Sequence, residues 1–134
     1  MSTLWYAQRV ESVVSVEHDP DWLRSVVNQA PENCSVLLRT DAVEYVRAIR
    51  EFDPFDLVVI DGLHRSESVS EGLSRLDPRG VLIWDNSDWP EFIDSYARLE
   101  NLGFRRLEFR GLGPISRQSW ETSILYRPEN CLGI

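Results

Sequence analysis

Short, nearly uninterrupted apolar runs alternate with longer stretches in which apolar residues recur every three or four positions. Residues 13–16 (Val-Val-Ser-Val) are a mostly β-branched run that ends at Glu17. His18-Asp19-Pro20-Asp21 then reads as a helix start, with Asp19 as N-cap and Pro20 at the first helical position. Leu23, Val26, Val27 and Ala30 give that helix an apolar face, and Pro31 stops it. A second strand is predicted at 35–38, followed by a helix capped at Thr40-Asp41 and faced by Val43, Val46 and Ile49. The third strand, 57–60, stops at Asp61-Gly62. A short helix around Val69, Leu73 and Leu76 leads to a turn at Asp77-Pro78-Arg79-Gly80, and a fourth strand, 81–84, stops at Asp85-Asn86.

Apolar runs of this kind are expected of strands in a parallel sheet covered by helices on both faces. Their alternation with helices implies right-handed crossovers and a doubly wound α/β fold. The last third changes rhythm. Residues 90–102 read as a helix with Phe92, Ile93, Tyr96 and Leu99 inward, ended by Gly103. Two strands, 104–109 and 122–126, follow without an intervening helix, so they are expected to pair antiparallel at one sheet edge. The domain is expected to span residues 1–127, with 128–134 as a loose tail.

Charge narrows the chemistry. The net charge of -8 argues against broad binding to nucleic-acid phosphates or anionic membrane. Arg105, Arg106 and Arg110 cluster locally and read as a solvated strand face. All 14 basic residues are arginine. Without lysine there is no P-loop lysine and no Schiff base, nor the lysine that accompanies a phosphoacceptor aspartate in a receiver module. No apolar run reaches the roughly 20 residues of a membrane span, and no signal-peptide pattern opens the chain, which is read as cytoplasmic. Cys34 and Cys131 have neither metal-ligand spacing nor the density of a disulfide framework.

Each predicted strand of the parallel series ends in a polar or acidic group: Glu17-His18, Thr40-Asp41, Asp61 and Asp85-Asn86. Ligands of open α/β sheets bind beyond such carboxyl ends, so these groups mark a binding edge. A carboxylate at the position of Glu17 can accept both ribose hydroxyls of a nucleoside ligand.

The order of these segments resembles the class I S-adenosylmethionine-dependent methyltransferases. The segments that carry the likeness are Val14-Ser15-Val16-Glu17-His18-Asp19, Thr40-Asp41-Ala42, Val58-Val59-Ile60-Asp61-Gly62 and Arg79-Gly80-Val81-Leu82-Ile83-Trp84-Asp85-Asn86. The resemblance extends to the closing strand pair and implies a Rossmann-like, mostly parallel sheet with a reversed final hairpin. It implies S-adenosylmethionine as cofactor, with Glu17 and His18 at the ribose, Asp41 and Ala42 by the adenine, and Asp61 near the methionine end. Ser2 and Thr3 match the opening of the family's first helix, just after its Gly-x-Gly turn. By that match the chain begins after the first strand and glycine-rich loop, as a truncated methyltransferase domain that binds cofactor poorly. The resemblance also points to small-molecule O-methyltransferases of the catechol and macrolide-sugar type. There Asp61, Asp85 and Asn86 would hold Mg2+, three hard oxygen ligands that suit that ion. His64 would act as general base, a role suited to histidine. Trp84, Trp89 and Trp120 are candidates for the wall of an acceptor pocket, and Gly113-Pro114-Ile115-Ser116-Arg117 for its loop.

The expected activity is methyl transfer to a small-molecule acceptor. The alternatives are a non-catalytic Rossmann-like remnant or a nucleotide-binding module. A nicotinamide-dependent dehydrogenase would also use Glu17 but leaves the Asp61 and Asp85-Asn86 pattern unexplained.

Overall fold

A computed structural model describes residues 2–112 and 119–134. The chain forms two compact units, Met1–Ala48 and Ile49–Ile134.

In the first unit, helix α1 (Ser2–Ala7) precedes strand β1 (Val13–Glu17), helix α2 (Pro20–Val27), strand β2 (Cys34–Leu38) and helix α3 (Ala42–Arg47). β1 and β2 run parallel, with Val13 opposite Cys34 and Glu17 opposite Leu38, so both strands finish at one end of the sheet. The expected caps form. Asp19 accepts hydrogen bonds from the Asp21 and Trp22 amides, and Asp41 from those of Val43 and Glu44. Each side chain satisfies amides that a helix start otherwise leaves unpaired. α2 ends at Val27, earlier than Pro31 implied, and Val27 is exposed while Val26 is buried. Val43 is likewise exposed rather than inward.

In the second unit, a 3-10 turn (Ala48–Glu51) leads from the first unit into strand β3 (Phe55–Ile60), helix α4 (Arg65–Leu73) and strand β4 (Leu76–Asp85). A 3-10 turn (Pro90–Phe92), helix α5 (Ile93–Asn101) and strands β5 (Arg105–Leu112) and β6 (Ser119–Tyr126) complete it. The sheet order is β3-β4-β6-β5, with β3 and β4 parallel and β6 antiparallel to both β4 and β5. The reversed hairpin expected from the missing helix signal is thus present. Val58, Ile60, Leu82, Trp84 and Leu125 lie on one sheet face and pack with Val69 of α4 and with Phe92 and Leu99 at α5. Gly103 takes φ 82, the left-handed geometry that ends α5. Ile93, expected inward, is 71% exposed, because the 3-10 turn ahead of α5 shifts the apolar stripe.

Two further expectations change. Residues 77–80 are not a turn between elements but a bulge inside β4: Phe55 pairs with Leu76 and Leu57 with Val81. The bulge is tight at Gly80, where an added Cβ would lie 2.7 Å from the Leu76 side chain and 2.9 Å from the Asp77 carbonyl oxygen. Gly80→Ala should therefore destabilise the fold by about 1–3 kcal/mol, as overpacking does. A denaturant midpoint unchanged by that substitution would show that the bulge relaxes freely.

The second change concerns residues 128–134, which are not loose. The buried Asn130 side chain donates to the carbonyls of Arg127 (2.8 Å) and Ile134 (2.7 Å), and the Cys131 amide donates to Arg79 O across the bulge (2.8 Å).

Candidate functional site

At the end of β1 the chain turns sharply into α2, and the turn is built on Glu17. Its Oε1 accepts the backbone amides of His18 (2.8 Å) and Asp19 (3.0 Å) and lies 3.0 Å from His18 Nδ1. Oε2 carries none of these bonds. The carboxylate is therefore oriented by the backbone before any ligand arrives. His18 is about half exposed, its ring edge-on to Tyr45 at 6.4 Å. Asp41 and Ala42, at the start of α3, follow the neighbouring strand β2, so Glu17, His18, Asp41 and Ala42 share one end of the first unit's sheet. Asp41 spends Oδ1 on capping α3. In α1, Ser2 is exposed and Thr3 Oγ1 lies 3.1 Å from Ser15 Oγ of β1.

In the second unit, Asp61 and Asp85 follow paired positions of β3 and β4, since Ile60 lies opposite Trp84. Arg65, at the start of α4, joins them. Its Nε donates to Gly62 O (3.0 Å), and its Nη1 donates to the Asp85 carbonyl and to Asn86 Oδ1 (2.9 Å). Nη2 stands 4.0 Å from Asp61 Oδ1, and the guanidinium carbon is 5.2 Å from the Trp89 ring centre. Asp85 Oδ1 accepts the Thr122 hydroxyl of β6 (2.8 Å). The expected Mg2+ does not fit this arrangement. One ligand oxygen is already occupied by a guanidinium, a second by a hydroxyl, and a fixed positive charge stands among all three donors. Among the described residues, no group of three or more His, Cys, Asp or Glu is placed to hold a metal.

Beside this cluster lies a cleft of about 450 Å3 lined by residues 62–67 with Trp89, Glu91 and Phe92. Its size falls within the range of about 300–1,000 Å3 usual for small-ligand sites. His64 opens into it, exposed, in a left-handed conformation (φ 49) at the head of α4. Trp89 lines the cleft. Trp84 does not, being fully buried against Phe92 and Tyr96, and Trp120 sits half-buried on β6. The expected acceptor loop, 113–117, falls outside the described residues.

Deeper in this unit is a network absent from the sequence reading. Glu121 of β6 is 1% exposed; it accepts from Ser87 Oγ (2.9 Å), from Arg110 Nε (2.6 Å) and from Arg106. Arg106 also donates to Ser123 Oγ (2.8 Å) and lies over the Tyr96 ring at 3.8 Å. Arg105 and Arg110 keep to the expected solvated strand face, Arg110 reaching Glu121 from a side chain that is 68% exposed, whereas Arg106, 27% exposed, is drawn inward to the buried carboxylate. The available signal was the alternation in β6, which puts Glu121, Ser123 and Leu125 on one face.

No family model matches the chain, and no curated protein matches it. Solved structures do. The chain is similar to the O-methyltransferase TomG of Streptomyces achromogenes, involved in tomaymycin synthesis and solved with S-adenosylmethionine, at TM-score 0.72 and 14% identity. That match covers 94% of this chain and 67% of TomG. A precorrin-8w decarboxylase of Methanobacterium thermoautotrophicum gives TM-score 0.64 at 18% identity, covering 93% and 74%. An rRNA methylase of Streptococcus thermophilus gives 0.60 at 16%, covering 93% and 78%.

The chain has the class I methyltransferase fold. The reversed β5–β6 hairpin beside parallel β3 and β4, and the acidic strand ends, are its features here. Those three proteins bear names of different reactions and substrates, so the fold leaves the acceptor undetermined. Among the described residues, no helix is long and apolar enough to cross a membrane.

Proposed function

We propose that this protein carries out S-adenosylmethionine-dependent methyl transfer to a small-molecule acceptor. The observation that supports this reading most is Glu17. Its Oε1 is fixed by two amides while Oε2 stands at the carboxyl end of β1, so the carboxylate is held as the acceptor that a ribose diol requires. Bound there, the cofactor would supply an electrophilic methyl group on sulfonium.

The chain's own residues take the remaining tasks. Glu17 and His18 hold the ribose, Asp41 and Ala42 border the adenine, and Ser2 and Thr3 open the cofactor side of α1. The cleft beside α4 takes the acceptor, with Trp89 and Phe92 as its apolar wall. His64 accepts the acceptor's proton as the new bond to carbon forms. Displacement at a methyl group needs little covalent help, so alignment and exclusion of water carry most of the rate.

The test is calorimetric titration of S-adenosylhomocysteine. Removing a charge-assisted acceptor of two hydroxyls corresponds to about 1.5–3 kcal/mol, so Glu17→Ala should weaken binding about ten- to a hundredfold. Asp85→Ala, on the acceptor side, should weaken it less. Equal affinities for wild type and Glu17→Ala would remove the ribose assignment. Absence of binding even to a form extended by an N-terminal strand and Gly-x-Gly turn would favour the alternative, a non-catalytic Rossmann-like module.

A further inference from the structure

The methyltransferase reading gives the acceptor's proton to His64 and leaves open whether a metal ion also polarises the acceptor hydroxyl. Three oxygen donors at the ends of β3 and β4, Asp61, Asp85 and Asn86, have the chemistry of a divalent-cation site. Their surroundings do not. Arg65 reaches from the first turn of α4 into the middle of the cluster, with a side chain only 13% exposed. Four contacts fix its guanidinium: Gly62 O, Asp85 O, Asn86 Oδ1 and the Trp89 face. Such planar, multiply bonded arginines are always charged and are pre-organised to stay where they are. A cation needing the Asn86 amide oxygen would have to displace the Nη1 donor, and one using Asp61 would meet Nη2 at the same carboxylate. Asp85 adds a further obstacle, since Thr122 turns its Oδ1 toward β6.

We infer that Arg65 is the built-in cation of this cluster, closing it to divalent metals and making the acceptor side metal-independent. Arg65 acts as a positioning residue. It ties the 61–64 loop, and so His64, to the end of β4, and it places a positive charge 4.0 Å from the Asp61 carboxylate. The inference rests on the methyltransferase reading for its catalytic meaning, but its test does not.

Mn2+ binding, followed by loss of the free-ion electron paramagnetic resonance signal, reads the site directly. Wild type and Asp85→Asn should bind Mn2+ alike, because the cluster contributes no site while the guanidinium is in place. Arg65→Met should gain a site at least about tenfold tighter once the like charge is gone. Arg65→Met combined with Asp85→Asn should lose it again. A merely structural arginine would give no such gain. The inference is overturned by a wild-type site that Asp85→Asn abolishes, or by an Arg65→Met protein that gains none. Should Arg65→Met not fold, the melting temperature of the wild type decides. It should be equal in Mg2+ and in chelator, and a Mg2+-dependent rise that Asp85→Asn removes would refute the inference. Failure of S-adenosylhomocysteine binding by the N-terminally extended form would sink the proposed function and leave this result standing.

Discussion

Replacing Trp84 with alanine is expected to cost about 3–5 kcal/mol of stability, the range for removing a large aromatic side chain from a packed core. Trp84 sits on β4 with no exposed surface. Its ring lies 4.6 Å from that of Phe92 and 5.0 Å from that of Tyr96, so it joins the sheet to the start of α5. Alanine there would leave a cavity bounded by a rigid sheet on one side. One detail separates this site from an ordinary core position: the indole Nε1 is buried with no hydrogen-bond partner among the described residues. An unsatisfied buried donor costs about 1–3 kcal/mol. Trp84→Phe removes that donor while keeping a ring against Phe92, and should lose less than half of what alanine loses. Denaturant unfolding of the three proteins checks both statements. Equal losses for phenylalanine and alanine would show that the indole N–H is satisfied in solution.

Glu121→Ala should be the second most damaging substitution, at about 2–4 kcal/mol, since it breaks a buried ion network at its shared member. The lower part of the range allows for Arg106 and Arg110, which can turn toward water once the carboxylate is gone. Burial by itself would raise the Glu121 pKa, but the Ser87 hydrogen bond and the two arginines outweigh it, leaving the carboxyl below the ordinary 4.5. The unfolded chain therefore takes up this proton before the folded one does. Stability from the network is complete above about pH 4.5, the unfolded value. It declines as pH falls through the lowered folded value. Glu121→Gln should flatten that acid limb while lowering stability at neutral pH. An acid limb of the same depth in the glutamine variant would place the titrating group elsewhere.

The legible parts of the fold are those whose causes are local. A carboxylate beside a Pro-Asp pair caps a helix whatever lies around it, and Asp19 does so here. A run such as 57–60 can be satisfied only as a buried strand. The absence of a helical period between β5 and β6 was enough to predict their antiparallel pairing. The candidate site was half legible for the same reason. Strand ends could be located, so Glu17, Asp61 and Asp85-Asn86 could be found, but not what would approach them.

The misreadings share a cause. Asp77-Pro78-Arg79-Gly80 has turn chemistry, yet the pairing of Phe55 with Leu76 draws the segment into β4 as a bulge. Arg65 sits four residues after Asp61, but its decisive partners, Asp85 and Asn86, are about twenty residues further on. Trp84 reads equally well as pocket wall or core until α5 is laid over it.

Taken alone, the sequence determined the alternation of strands and helices, the two aspartate caps, the reversed hairpin and the acidic strand ends. These follow from periodicity, capping and chain stiffness over a few residues. Only the tertiary structure decided that a guanidinium fills the Asp61, Asp85 and Asn86 cluster and that Glu121 is a buried ion-network centre. Charged side chains carry no mark of their partner. Arg110 meets Glu121 because the hairpin register sets them opposite each other, and register is fixed by the packing of the whole sheet.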